Sequence, residues 1–332
     1  MASRDPLTLR VAARSAAEPK AAWAAAGDPM PVPCWKDPSG AGEPIVGDRE
    51  FARFQALIHR EAGIWLVPEK RSLLVGRLSR RVRELGLPSL AAYCDRVEVD
   101  RTELVHMLDR ITTNETHFFR EPHHFEFLDR EVLPRWRAEA EAGRRPRRIR
   151  AWSAACSTGE EPFSLAMSLL RAFPDSAGWE LEILASDLST RVLAEAERAV
   201  WPLEKAKEIP PSDLKAFMLR GVGSQQGLMK AGPAVQALVR FERVNLIDAA
   251  YPSIGQYDLV FCRNVLIYFD APTKERVVGR LLSHLAADGF LFLGHAESLS
   301  GTALPARCVR PTVYCHGGQT APVGAGARRG WR

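Results

Sequence analysis

The sequence predicts an α/β protein: a mostly parallel sheet with helices on both faces, preceded by a small all-helical unit. Three observations carry that prediction. From about Arg147 onward, short β-rich runs alternate with amphipathic helical ones. Between Asp48 and Leu108 only helical periodicity is present. At 332 residues and 46% hydrophobic content, the chain has room for two domains and apolar material for a sizeable core.

Residues 1–44 are rich in Ala and Pro, and "AAWAAAGDPMPVPCWKDPSGAGEP" breaks any continuous period. They are expected to form a disordered leader with room for one short helix. "DREFARFQALIHREAGI" opens on Asp48 as a cap and places Phe51, Phe54, Leu57 and Ile58 at helical spacing. "PEKRSLLVGRLSRRVRELGL" has Pro68 at its start and Gly86 at its stop. "SLAAYCDRVEVD" and "RTELVHMLDRIT" add two more helices, giving a helical unit over residues 45–110. Residues 111–146 then hold a linker and a helix.

The α/β region is expected over residues 147–316. "RIRAWSAA", "LEILASDLS", "VRFERVNLI", "YDLVFCRNVLIYF" and "GFLFLGHAESL" read as strands. "STGEEPFSLAMSLLRAF", "TRVLAEAERAVW" and "TKERVVGRLLSHLAADG" read as the helices between them. Residues 317–332 are expected to be a flexible tail, and no internal repeat is visible.

Composition narrows the function. No run approaches the roughly 18 apolar residues of a membrane span, and the N-terminus lacks the layout of a secretory signal, which favours a cytoplasmic protein without membrane insertion. The six cysteines contain no CxxC pair and read as reduced, packed thiols. A net charge of +5 permits an anionic partner without demanding nucleic acid.

In open α/β sheets, ligands sit beyond the carboxyl ends of the strands, so the polar residues there are the candidates. After the first strand, "AWSAACSTGEEPFS" is a small-residue turn opening a helix. It has no GK[ST] ending, and Glu160 and Glu161 stand where a phosphate loop needs a lysine. After the second strand, Asp187 is placed either to accept from a ribose or adenine or to cap the next helix. Asn245 follows the third. Arg263 and Asn264 interrupt an otherwise apolar run, and burying them unpartnered would cost several kcal/mol, so that strand should end at a ligand or an ion pair. Acids and amides without a phosphate loop suit an adenosyl ligand with a cationic amino-acid end. S-adenosylmethionine is such a molecule; a dinucleotide is disfavoured because GxGxxG is absent.

The stretch "ITTNETHFFREPHHF" combines three histidines with three phenylalanines. A metal site from His117, His123 and His124 competes with a helix start packed on Phe118 and Phe119. Adjacent His123 and His124 cannot share one helical face, so no metal is expected, and the two phenylalanines should anchor the segment between the domains.

"TTNETHFFREPHHF", "WSAACSTGEEPFSLAM", "ILASDLS", "VNL", "FCRNVLIYFD" and "GFLFLGHAESL", in this order, resemble the chemotaxis receptor methyltransferases of the CheR type. The similarity runs from about residue 48 to about 316. It implies a Rossmann-like methyltransferase domain that binds S-adenosylmethionine and yields S-adenosylhomocysteine, behind an N-terminal helical domain. A small antiparallel β subdomain is implied within about residues 203–240, which in some members docks a receptor peptide. The implied activity is methyl esterification of glutamate side chains on membrane chemoreceptors, by a cytoplasmic monomer recruited to receptor arrays. Ala296 stands in "GHAES" where a serine is frequent.

Carried over by position, Asn114, Thr116 and Arg120 should contact the cofactor or border its reactive end. Glu161, in preference to Glu160, should engage the methionine portion. Asp187 should hold ribose or adenine, with Asn245, Leu246, Arg263 and Asn264 completing the adenosine pocket. Tyr268 should stand near the catalytic centre. A glutamate acceptor, with an ordinary pKa of about 4.3, is already ionised at neutral pH, so no general base is required. Arg120 is then expected to position the acceptor carboxylate and Tyr268 to pack beside the methyl group. Arg77, Arg80 and Arg81 cluster at helical spacing; such a run is usually a solvated face, but acidic receptor helices give it a docking role. A module that senses S-adenosylmethionine without turnover, and a carboxyl methyltransferase for another protein, are the alternatives. A nucleic-acid methyltransferase fits less well, because no NPPY-type motif is present.

Overall fold

The computed structural model describes residues 46–174, 178–251 and 254–318. The expected leader, and all but the first two residues of the expected tail, lie outside the described residues.

Four helices build the N-terminal part: α1 (Asp48–Ala62), α2 (Arg71–Glu84), α3 (Leu90–Val99) and α4 (Arg101–Ile111). In α1 the stripe Phe51, Phe54, Leu57, Ile58 is buried as its spacing predicts. Gly47, not Asp48, is the residue that precedes the first turn. Asp48 sits inside that turn, where its charge favours the helix dipole. Ser89 caps α3 by accepting from the Ala92 amide, and Asp100 caps α4 by accepting from Thr102 and Glu103. Leu74, Leu78 and Val82 of α2 close a common core with Tyr93, Leu104 and Met107.

The chain then runs through α5 (Pro122–Phe127), a π turn and α6 (Leu133–Glu141) into the sheet region. Next come β1 (Arg148–Ala154), α7 (Glu160–Ala172), β2 (Glu180–Asp187) and α8 (Thr190–Arg198). A small excursion follows: β3 (Val200–Pro202), α9 (Pro211–Phe217), β4 (Met218–Arg220), β5 (Leu228–Ala231) and α10 (Pro233–Gln236). The chain returns through β6 (Val239–Arg243), β7 (Tyr257–Cys262), α11 (Ala271–Ser283), β8 (Leu285–Leu293), β9 (Ala306–Arg310) and β10 (Val313–His316).

Seven strands form one sheet in the order β6-β2-β1-β7-β8-β10-β9; the first five are parallel, while β10 and β9 are antiparallel. A separate antiparallel sheet, β3-β5-β4, is inserted between α8 and β6. Side chains alternate across the large sheet. Ile149, Ala151, Leu259, Phe261, Phe290 and Phe292 pack on one face with Trp136 and α7. Trp152, Ala154, Val260, Leu291 and Leu293 pack on the other with Val277 and Leu281 of α11.

Three details depart from the sequence reading. β7 stops at Cys262, and Val265–Phe269 leave the sheet in a 3₁₀ turn. The segment "LAADG" opens β8 instead of ending α11, because Tyr257 pairs with Leu285. The β9–β10 hairpin is additional; its strands are five and four residues long, too short for a periodic signal. Among the described residues, no helix is long and apolar enough to cross a membrane.

Candidate active site

β1 leads on to β2 and β6 on one side, whereas β7 leads on to β8 on the other. That reversal between β1 and β7 is a topological switch point, where open α/β sheets bind ligands. A cleft open to solvent lies there. Asn114, Thr116, Arg120, Glu161, Asp187, Asn245, Leu246, Arg263, Asn264 and Tyr268 all line it, and so does Arg77. Ile64, Leu66, Lys70 and Leu73, from α2 and the link that leads into it, supply a wall that no strand-end rule could have found.

The small-residue turn after β1 is built for close approach. Gly159 has φ 98°, and a Cβ there would meet Ala196 at 3.1 Å. The turn is tied to the end of β2 by Asp187, which accepts from the Ser157 amide and from the Ser189 amide, both at 2.9 Å. Asp187 does not cap α8; Ser189 does. Burial pushes the Asp187 carboxyl above its usual range, opposed by those amides. It therefore combines a place on the cleft wall with a local structural role.

The two adjacent glutamates diverge. Glu160 is fully buried and turned away from the cleft, bonded to Lys205 at 2.6 Å and Thr158 at 2.7 Å. Glu161 lines the cleft; it accepts from Ser153 Oγ and from Arg263 Nε, both at 2.6 Å. The interrupted strand thus ends at an ion pair and at the cleft together. The Arg263 side chain is 2% exposed. It also donates to the Arg120 carbonyl at 2.5 Å and lies over the Phe125 and Phe261 rings.

Behind Arg263 stands His124, fully buried, with Nε2 on Thr312 Oγ1 at 2.8 Å and Nδ1 facing Arg263 Nη1 at 3.3 Å. Burial, reinforced by the Arg263 charge, pushes its pKa down to about 2, so the imidazole is neutral. The His123 ring is 4.2 Å from it despite the adjacency, whereas His117 lies apart beside Glu208 at 3.5 Å. Glu121, His123 and His124 do present ligand atoms near one another. The Arg263 guanidinium, 3.7 Å from Glu121, already occupies that space with positive charge.

Asn264 holds φ 60°, and its side-chain Oδ1 is buried with no hydrogen-bond partner although the residue lines the cleft. A buried acceptor left open costs free energy unless a ligand donor completes it. Glu297, 1% exposed, holds this turn: it accepts from the amides of Asn264 at 2.9 Å, Gly294 at 2.7 Å and Ile267 at 3.2 Å. It is a site-building residue that the sequence reading missed; its signal was a lone acid in an apolar strand-end motif.

The 114–120 segment is pinned from several sides. Ser157 Oγ donates to the Asn114 carbonyl at 2.9 Å, and Lys205 Nζ donates to the Thr116 carbonyl at 3.0 Å. Phe118 and Phe119 do not sit between the helical unit and the sheet, as expected. They pack into the α/β core on Trp201 and Phe125, each pair 5.0 Å apart.

At the mouth, Lys70, Arg77 and Arg120 have no carboxylate within 4.0 Å among the described residues. Arg77 spends its donors on the Ile111 carbonyl and on Thr113 Oγ1. Lys70 Nζ is 5.5 Å from the Tyr268 ring. Arg80 and Arg81 do not reach the cleft. Arg80 is exposed and pairs with Glu84 at 2.8 Å; it lines a second, shallow depression beside Arg110 and Arg191. Arg81 grips the buried Glu103 through two bonds of 2.9 and 2.7 Å, so its charge serves the fold of the helical unit.

The donor set fits a cationic nucleoside: two buried acids, amides and an open acceptor, with no lysine at the β1 turn. Comparison with known proteins agrees. Residues 114–315 match the family profile described as "CheR methyltransferase, SAM binding domain", and residues 49–112 match "CheR methyltransferase, all-alpha domain". Chemotaxis protein methyltransferase 2 of Pseudomonas aeruginosa is 38% identical over 284 residues, covering 83% of this chain and 99% of that protein. Chemotaxis protein methyltransferase of Salmonella typhimurium is 38% identical over 272 residues, covering 81% of this chain and 90% of that one. From these matches and the site geometry, the chain belongs to the CheR methyltransferase family, with S-adenosylmethionine as its cofactor.

Proposed function

We propose that this protein forms methyl esters on glutamate side chains of membrane chemoreceptors. The observation that carries the reading is the set of cations lining the cleft, Lys70, Arg77 and Arg120, unmatched by any carboxylate among the described residues. An anionic side chain entering there meets attraction from three directions. Among the described residues no histidine or cysteine lines the cleft, and a carboxylate acceptor, ionised at neutral pH, has no proton for such a base to remove. The similar proteins from Pseudomonas aeruginosa and Salmonella typhimurium are chemotaxis protein methyltransferases, which supports the same class of target here.

S-adenosylmethionine, when bound, supplies an electrophilic methyl group on a sulfonium. Glu161 and Asp187 would hold its cationic amino-acid end and its ribose, and Asn245, Leu246 and Asn264 its adenosine. Asn114 and Thr116 border that wall. Arg263 acts indirectly, by fixing the Glu161 carboxylate and the Arg120 carbonyl. Arg120 steers and orients the acceptor carboxylate, while Tyr268 shields the reacting end from water. Orientation of this kind can contribute on the order of 7–11 kcal/mol. Arg80, exposed on α2, adds long-range attraction for acidic receptor helices.

The test is labelled methyl transfer onto receptor-rich membranes of the host. Label released by mild base supports glutamate esters. Base-stable label means another acceptor, and S-adenosylhomocysteine binding without any transfer means a sensor.

A further inference from the structure

The cleft mouth carries an apolar lip that the cofactor site does not use. Trp65 is 47% exposed, Ile267 51% and Val67 37%, three of the six large hydrophobic side chains left in solvent among the described residues. Trp65 and Ile267 stand on two adjoining segments, with Val67 two residues on from Trp65. The Trp65 amide donates to the Tyr268 carbonyl at 2.8 Å, and Ile64 bridges Phe269 in antiparallel register. That short ladder joins the link between α1 and α2 to the 3₁₀ turn after β7.

Both strands of the lip are held firmly from behind. The Trp65 ring lies edge-on to His59 at 5.4 Å, the Leu66 carbonyl accepts from Gln55 at 2.6 Å, and the Ile267 amide is bound by Glu297. Exposed apolar groups on so well-tethered a backbone are presented, not left over. Their neighbours inward are Tyr268 and Lys70 on the cleft wall.

We infer that Trp65, Val67 and Ile267 form an acceptor-side docking lip for an apolar residue on the same helical face as the methylated glutamate. This rests on the proposed function. A glutamate on a helix has its neighbours three and four residues away on the same face. When its carboxylate enters the cleft past Tyr268, those neighbours meet the lip. The occupant is therefore an amphipathic acidic helix, with carboxylates drawn by Lys70 and Arg77 and an apolar side chain seated on Trp65 and Ile267. Charge alone would not choose among the many acids of such a helix; an apolar seat one turn away does.

The test uses the full chain, receptor-rich membranes and labelled S-adenosylmethionine, with a Trp65→Ser/Ile267→Ser double variant and a conservative Trp65→Phe variant. Neither position lines the cofactor cleft. The expected result is a KM for receptor raised about tenfold or more in the double variant, with kcat at saturation and S-adenosylhomocysteine affinity by calorimetry unchanged, and near-normal KM for Trp65→Phe. An unchanged KM overturns the lip while leaving the methylation reading intact. Loss of S-adenosylhomocysteine binding in the double variant also overturns it, since the residues would then be structural. A wild-type dimer that the double variant dissociates overturns it in favour of self-association. Absence of base-labile transfer by the wild type removes the function and the lip together.

Discussion

Removing the carboxylate of Glu297 should damage the site although Glu297 does not itself line the cleft. Its Oε2 accepts from Asn264 and Gly294, its Oε1 from Ile267, and the side chain is 1% exposed. Close contact is enforced at Gly294, where a Cβ would stand 2.6 Å from Asn264 Nδ2. Glu297→Ala leaves three amides without acceptors in a region that water barely reaches. At about 1–3 kcal/mol for each orphaned donor, offset by the relief of one buried charge, a net loss of about 3 kcal/mol is expected. Glu297→Gln keeps one oxygen, enough for Asn264 and Gly294, but sets an NH₂ against the Ile267 amide; about 1–2 kcal/mol should go. Denaturant unfolding reads both values, and calorimetry with S-adenosylhomocysteine reads the site, because Asn264 rides on this turn. Affinity should fall more in the alanine variant than in the glutamine one. A Glu297→Ala protein with wild-type stability, or one destabilised with cofactor affinity intact, would refute the reasoning.

Other consequences follow from buried charge. Glu161→Gln or Arg263→Met alone should each cost about 3–5 kcal/mol by stranding the partner's charge, and the double variant clearly less than their sum; additive losses in a double-mutant cycle would contradict the pair. His124 gives a pH signature: its folded pKa, about 2, lies below the unfolded value of 6.5, so the unfolded chain takes up a proton that the native state refuses. Stability from this group is complete above about pH 6.5 and declines below it by about 1.4 kcal/mol per pH unit. His124→Asn should flatten the acid limb between pH 6.5 and 4.5, and coincident slopes would count against it. On α2, Arg80→Glu should leave stability within about 0.5 kcal/mol yet slow receptor methylation at low salt. Arg81→Glu should destabilise by about 3 kcal/mol through repulsion of Glu103; the reverse ranking would mean that the two arginines had been assigned wrongly.

How much of this could be read from the sequence depends on distance along the chain. Strand ends were legible: Glu161, Asp187, Asn245, Arg263 and Asn264 converge on one cleft because parallel strands must all deliver their carboxyl ends to one edge. The choice between Glu160 and Glu161 leaned on resemblance, since adjacent helical residues point about 100° apart and the deciding partners, Lys205 and Arg263, are 45 and 102 residues away. The apolar wall from Ile64 to Leu73 was illegible for the same reason: it reads as helix core and linker until the helical unit is docked. Arg81 shows the converse error, where spacing on one helix said nothing of Glu103 on another.

The docking of the two units explains a division of charge that neither has alone. Sheet and turns contribute the buried Glu161 and Asp187 to the cleft, while α2 and its approach contribute the exposed Lys70 and the half-buried Arg77. The join is held by specific bonds: Asn245 Nδ2 donates to the Glu61 carbonyl at 2.8 Å, and His59 meets Asp270 at 3.0 Å. Asn245 therefore faces the cleft while its amide is spent on α1. Substituting it should loosen the helical wall and the cofactor floor together, so acceptor and cofactor affinities would fall in step. With Asp187 and the Arg263-bound Glu161 on the sheet side and Lys70 and Arg77 on the helical side, the charges suit a reaction between a cation and an anion. They draw each reactant to its own side and discourage either from occupying the other's place, a form of selection that a uniformly polar pocket lacks.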